Sequence, residues 1–188
     1  SEGEAGNRFG IRLARQGDLL LVSATRADAG TGAVYSFRKS GDSWEEAGRL
    51  VTDDRSPADS LGTGLAIDGD WIALSTIAQS GGRGAAYLFH RSGDAWTQHS
   101  KLVPEGLEEG VRFGSKIALA DGHMLVATTG TREIPSQVFA YHFDAATDSW
   151  VAGGTVDAPL NEGQTGFGAD MALVGETALI GAPGFFSG

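Results

Sequence analysis

The sequence predicts an all-β fold, a β-propeller of four-stranded antiparallel blades, with about three and a half repeats of 52–54 residues present. Three observations carry this. A Phe-Gly or Leu-Gly pair stands at positions 9, 61, 113 and 167, so it recurs at spacings of 52, 52 and 54. A period in this range marks a repeat architecture. Each repeat holds four short apolar or alternating runs separated by Gly-rich turns, the pattern of short strands. No window shows the 3.6-residue apolar period that a helix requires. A β-helix has shorter turns than this unit, and a sandwich has no need of such regular self-similarity.

The first strand of each unit is expected at Phe9–Ala14, Leu61–Ala66, Phe113–Ala118 and Phe167–Ala172. Its fifth residue is large (Leu13, Leu65, Ile117, Met171) and its sixth is alanine (Ala14, Ala66, Ala118, Ala172). A small residue held beside a large one fits strands crowded around a centre. The second strand reads as Leu19–Val22, Trp71–Leu74, His123–Val126 and Thr177–Ile180. These runs are nearly all apolar, so both faces should be covered. The turns before them hold Gln16-Gly17, Asp68-Gly69 and Asp121-Gly122, and Asp-Gly predicts hairpins with positive φ at both central residues. Third strands follow at Gly32–Phe37, Gly84–Phe89 and Gln137–Tyr141. Fourth strands open at Trp44, Trp96 and Trp150 and end near Leu50, Leu102 and Val156. The third hairpin, Asp144–Ser149, is two residues longer, which accounts for the spacing of 54.

The organisation is a single partial propeller over 1–188. Its repeats lie at approximately 9–60, 61–112, 113–166 and, incompletely, 167–188. Both ends fall inside the repeat pattern and read as cuts through a longer propeller. Two copies would supply seven units, so self-association as a dimer approaching a ring is expected.

Lys and Arg total 14 against 24 Asp and Glu, a net charge of −10. Nucleic acid and anionic membranes attract clustered cations, so both are disfavoured as partners. There is no cysteine, which excludes disulfides, thiolate metal sites and cysteine nucleophiles. No apolar run approaches the roughly 18 residues that span a bilayer. The polar segment Ser1–Arg8 is no signal peptide.

Phe167-Gly168 followed by Gly181-Ala182-Pro183 resembles the FG-GAP repeat of integrin α-subunit propellers and of many secreted bacterial proteins. Earlier copies of the second half diverge, to Ser23-Ala24-Thr25, Ser75-Thr76-Ile77 and Ala127-Thr128-Thr129. Gly84-Ala85-Ala86-Tyr87-Leu88-Phe89, followed by Ser92-Gly93-Asp94-Ala95-Trp96, is closer to the bacterial variety. The resemblance implies a propeller at the cell surface or outside the cell, in a bacterium. Integrin-type repeats often carry a calcium loop between their first two strands. Here Ile67-Asp68-Gly69-Asp70 and Leu119-Ala120-Asp121-Gly122 are too short, with too few carboxylates, for the six to eight oxygens that calcium takes. No calcium site, other metal or cofactor is therefore expected. Asp28, in the loop after strand two, is the one residual candidate ligand.

Strand alternation sorts the connections by face. The long connections, from second to third strands and from fourth to first, share one face, and loops on a rigid scaffold carry binding. That face is acidic: Asp53, Asp54 and Asp59, then Glu105, Glu108 and Glu109, then Glu162. Arg26, Arg83 and Arg132 occupy equivalent loops and are positioned to pair with these acids. The face reads either as a surface for a cationic or metal-bridged partner or as plain solvation. Trp44, Trp96 and Trp150 repeat and read as structural; Trp71 replaces Leu19, His123 and Thr177 and is read as either blade-edge packing or an exposed contact. Phe185 and Phe186 are expected to be exposed. No HExxH, P-loop or Gly-x-Ser-x-Gly motif is present, and the histidines are scattered, so no enzyme is expected. The reading is a non-enzymatic module for extracellular protein interaction or adhesion. Two rivals remain: a carbohydrate-binding, lectin-like propeller, and part of a larger enzyme whose active site lies in other blades.

Overall fold

The computed structural model describes residues 6–131, 133–158 and 166–184. It is all-β, with three four-stranded antiparallel sheets and one two-stranded sheet. The first sheet orders β1 (Phe9–Gln16), β2 (Leu19–Ala24), β3 (Ala33–Ser40) and β4 (Ser43–Leu50) side by side. The second repeats this with β5 (Leu65–Asp68), β6 (Trp71–Thr76), β7 (Ala85–Ser92) and β8 (Ala95–Leu102). The third is built from β9 (Lys116–Ala120), β10 (His123–Ala127), β11 (Gln137–Asp144) and β12 (Ser149–Asp157). The fourth pairs β13 (Met171–Val174) with β14 (Thr177–Ile180). These are propeller blades. The first strands of successive blades are neighbours, β1 with β5, β5 with β9 and β9 with β13.

Three of the core clusters lie between blades, and a small fourth one, Ala24, Ala27 and Ala33 with Tyr35, lies within the first blade. Leu65 packs into the cluster shared by blades one and two, Ile117 into that of two and three, and Met171 into that of three and four. The alanines that follow point the other way: Ala14 joins the first cluster and Ala118 the third. The strand β9 thus sends Ile117 back to one neighbour and Ala118 forward to the next. The second strands do the same with larger residues. Ile72 and Leu74 face the first cluster, while Ala73 between them faces the second. This double coverage explains their near-continuous apolar runs.

The first strands of blades two, three and four begin about four residues later than their sequence pattern predicts. The Leu-Gly or Phe-Gly pair is not part of the strand. It hooks onto the preceding blade instead: Leu61 forms a parallel bridge with Gly32, and Phe113 one with Gly84. The glycine that follows has positive φ at 62, 114 and 168, a conformation costly for other residues. A Cβ on Gly114 would also lie 2.5 Å from Ser75 Cβ, and one on Gly168 would lie 2.7 Å from Ala127 Cβ. The pair of one blade therefore packs on the first residue of the diverged Gly-Ala-Pro segment of the blade before it. Ser75 adds polar ties, accepting from the Gly64 N–H at 2.7 Å and donating to the Gly114 carbonyl at 2.5 Å.

Turn chemistry also differs from expectation in part. In the first, second and fourth inner hairpins the central pairs are Gly17-Asp18, Gly69-Asp70 and Gly175-Glu176, with positive φ only at glycine. Those are the φ signs of a type II′ turn, which places glycine first. Only Asp121-Gly122 has positive φ at both. Each outer strand carries a bulge at the same place, at Ala47, His99 and Gly153, which the sequence pattern does not mark. A single helical turn, α1 (Gln79–Gly82), sits in the second blade's long loop and includes left-handed Ser80 and Gly81.

Candidate functional site: the loop face

On the long-loop face, the first two fourth-to-first connections are each laced to the second-to-third loop of their own blade. The Ser60 and Leu61 N–H groups donate to Gly30 and Thr31, and those of Arg112 and Phe113 donate to Gly82 and Arg83. Backbone bonds therefore hold these loops as a rigid rim.

The acids predicted on this face divide into two sets. Asp59 is buried and accepts a 2.7 Å bond from the Ser56 N–H, so it braces its own loop. Asp54 accepts from Lys101 at 2.6 Å and from the Tyr87 hydroxyl at 2.9 Å. Partial burial pushes its carboxyl upward, but the bonds from Lys101 and Tyr87 outweigh this and hold its pKa below the usual carboxylate value. Glu109 pairs with Arg83 at 3.3 Å. The Arg83 guanidinium also donates to the carbonyls of Leu107 (2.9 Å) and Ser80 (3.2 Å), clamping two loops together. Asp53, Glu105 and Glu108 stand exposed around this scaffold. Arg26 is exposed as well, with its backbone N–H bound to the Asn7 carbonyl. Arg132, Glu162, Phe185 and Phe186 lie outside the described residues.

Asp28 pairs with Arg49, whose guanidinium lies 5.5 Å over the Tyr35 ring. Lys101 lies 5.6 Å over the equivalent Tyr87 ring and pairs with Asp54. A cation over a tyrosine, tied to a loop carboxylate, is thus repeated in two blades. The signal was available as Tyr35 and Tyr87 at one repeat position and Arg49 and Lys101 at another. Among the described residues no group of three or more His, Asp or Glu is placed to hold a metal ion.

Trp71 lies on the opposite, short-hairpin side. It is half-buried and is the hub of a ring cluster between blades two and three. Its ring centre lies 4.4 Å from His90, 4.8 Å from Phe143, 4.9 Å from His99 and 5.3 Å from Trp150. Of its two readings, the geometry is that of blade-edge packing.

The FG-GAP repeat family model matches residues 44–89. The chain carries an FG-GAP repeat. The matched FG-GAP segment runs from Trp44 in β4, through Leu61-Gly62 and β6, to Phe89 in β7. It therefore spans the connection from the first blade to the second and includes Leu61, whose bridge partner Gly32 lies before the matched segment. The first and third sheets have the same four-stranded order as the second. No curated protein matches the chain.

Proposed function

We propose that this FG-GAP propeller module is non-enzymatic and binds a protein partner, a ligand or receptor, outside the cell or at a bacterial cell surface. The observation that carries the reading is the division of acids on the loop face. Asp54, Asp59 and Glu109 stiffen the rim, while Asp53, Glu105 and Glu108 project from it. A rigid rim presenting negative charge favours a cationic partner and speeds its encounter.

The probe is an oligolysine peptide, with adhesion of cells to a surface coated with the chain as second readout. The triple variant Asp53→Lys/Glu105→Lys/Glu108→Lys loses both, whereas Asp42→Lys/Glu176→Lys on the short-hairpin face keeps them. Equal losses in the two variants would reduce the effect to net charge and overturn the reading.

A further inference from the structure

We propose that the cleft between the first and second blades is a binding groove for a neutral saccharide, with the Trp96 indole as its platform. This goes beyond the loop-face reading and does not depend on it: the cleft at Trp96 opens beside the short hairpin of Asp94 and Ala95, and only its extension reaches the loop-face residue Asp53.

The same structural position occurs at two blade junctions with opposite outcomes. Between blades two and three, Trp71, His90 and His99 fill the space against Trp150. Trp150 is left only 7% exposed. Between blades one and two, the repeat places Leu19 where Trp71 stands, Arg38 where His90 stands and Ala47 where His99 stands. Trp96 takes the position of Trp150. An indole and an imidazole are thus replaced by a leucine and an alanine, and a cleft of about 140 Å³ opens against Trp96. It continues along Trp96 into a second hollow of about 410 Å³ that shares Arg49 and includes Thr97 and Gln98.

The walls say what fits. The space is that of missing rings, so the occupant is a ring that stacks on the indole, whose electron-rich face attracts C–H groups. Arg38 faces Asp94 across the cleft at 3.5 Å, and Arg49 is already paired with Asp28. At the Trp96 cleft the charges cancel locally, so neither an anion nor a cation is called for there; Asp53 lines only the second hollow. Ser36, Arg38 and Asp94 offer donors and acceptors side by side. Vicinal hydroxyls both donate and accept, and a pyranose presents them around the edge of an apolar C–H face. Arg38 and Asp94 are paired, and the Ser36 hydroxyl donates to the Gly48 carbonyl at 3.1 Å. Each keeps further hydrogen-bonding capacity, which a sugar edge would use and an aromatic peptide side chain would not.

The test is calorimetric titration with a panel of neutral oligosaccharides (gluco-, manno-, xylo- and N-acetylglucosamine series), with oligogalacturonate and a tryptophan-containing tripeptide as comparators. At least one neutral member binds. Trp96→Ala weakens it by about tenfold or more. Leu19→Trp/Ala47→His rebuilds the closed junction, abolishes binding and leaves the melting temperature unchanged or higher. That variant decides the matter even where Trp96→Ala fails to fold. Binding by none of the neutral members would overturn the proposal, as would binding by a comparator alone or undiminished binding by the filled variant. Because Asp53 lines the second hollow, the loop-face variant for this comparison is Glu105→Lys/Glu108→Lys. Loss of oligolysine binding in it, with saccharide binding retained, separates the two readings.

Discussion

At the scale of the residue, glycine and paired polar groups decide more than their size implies. Gly10 and Gly114 stand at the same repeat position with φ of +88° and +94°. A Cβ at Gly10 meets nothing within 4 Å, while one at Gly114 meets Ser75. Gly10→Ala should therefore cost only the left-handed backbone term, about 1–2 kcal/mol. Gly114→Ala should add an overpacking cost of about 1–3 kcal/mol. Urea unfolding of the two variants measures the difference, and equal losses would remove steric interlock from the account of the hook. Asp54 supplies a pH-dependent contribution. Its folded pKa is lowered, so its stabilisation is complete above the unfolded carboxylate value of about 3.9. It is lost as pH falls through the lower folded value. The melting-temperature gap between the native chain and Asp54→Asn should be present at neutral pH and shrink in strong acid. Tyr141 acts at the other end of the scale. Burial raises its pKa to about 12, so its neutral ring stabilises the fold fully below pH of about 10 and ceases to do so as pH rises through about 12. Tyr141→Phe should flatten the alkaline loss of stability.

At the scale of the element, the outer strands and their aromatic rings set the junctions. The repeated tryptophans are not equivalent. Trp150 is buried, Trp96 borders the cleft, and Trp44 is exposed beneath Arg15, which lies 5.6 Å over its ring. Trp71 does not repeat, yet it joins four rings from two blades. Trp71→Ala and Trp150→Ala should each destabilise by roughly 3–5 kcal/mol, and Trp44→Ala by clearly less. Thermal unfolding followed by near-ultraviolet circular dichroism reads this order directly. A loss at Trp44 matching that at Trp71 would show that repetition outweighs burial. A quieter element-scale tie runs along the short-hairpin face. Gln16 accepts from the Gly69 N–H at 2.8 Å, and Asp68 accepts from the Asp121 N–H at 2.7 Å. Ala120 stands at this position in the third blade and has no side-chain acceptor, so the bond cannot recur toward Gly175.

At the scale of the whole molecule, apolar surface remains uncovered on the flanking blades. On β1, Phe9 and Leu13 are 49% and 64% exposed, and on the last sheet Val174 and Leu179 are 74% and 66% exposed. Their counterparts inside the array are buried or packed: Phe113 lies in the second cluster, and Leu65 packs on the first. Large apolar flanks drive association. This chain should therefore self-associate, most simply as a dimer, with Leu13→Lys and Leu179→Lys each shifting it toward monomer. Light scattering behind size exclusion at about 50 μM, with β1 and the last sheet as the expected contact, decides it. A mass of 19.5 kDa independent of concentration would sink the idea.

The all-β class, the order of the strands and the repeat were legible in the sequence. Each rests on local chemistry: period-two alternation, apolar runs of strand length and glycines at turns. The fourth strands opening at Trp44, Trp96 and Trp150 lie within one residue of β4, β8 and β12. Where contacts between neighbouring blades decide, the sequence was silent. The late start of β5 and β9 follows from Leu61 and Phe113 finding better partners on the preceding blade than in their own sheet. The bulges at Ala47, His99 and Gly153 carry no shared residue type. Among the acids, which were visible as a group, only neighbours distant in sequence separate Asp54, tied to Tyr87 and Lys101, from exposed Asp53. The open cleft at Trp96 and the closed one at Trp150 have the same cause. Leu19 and Ala47, like Trp71 and His99, come from strands far apart in sequence, and only the stacking of blades sets their combined volume against the ring of the next blade.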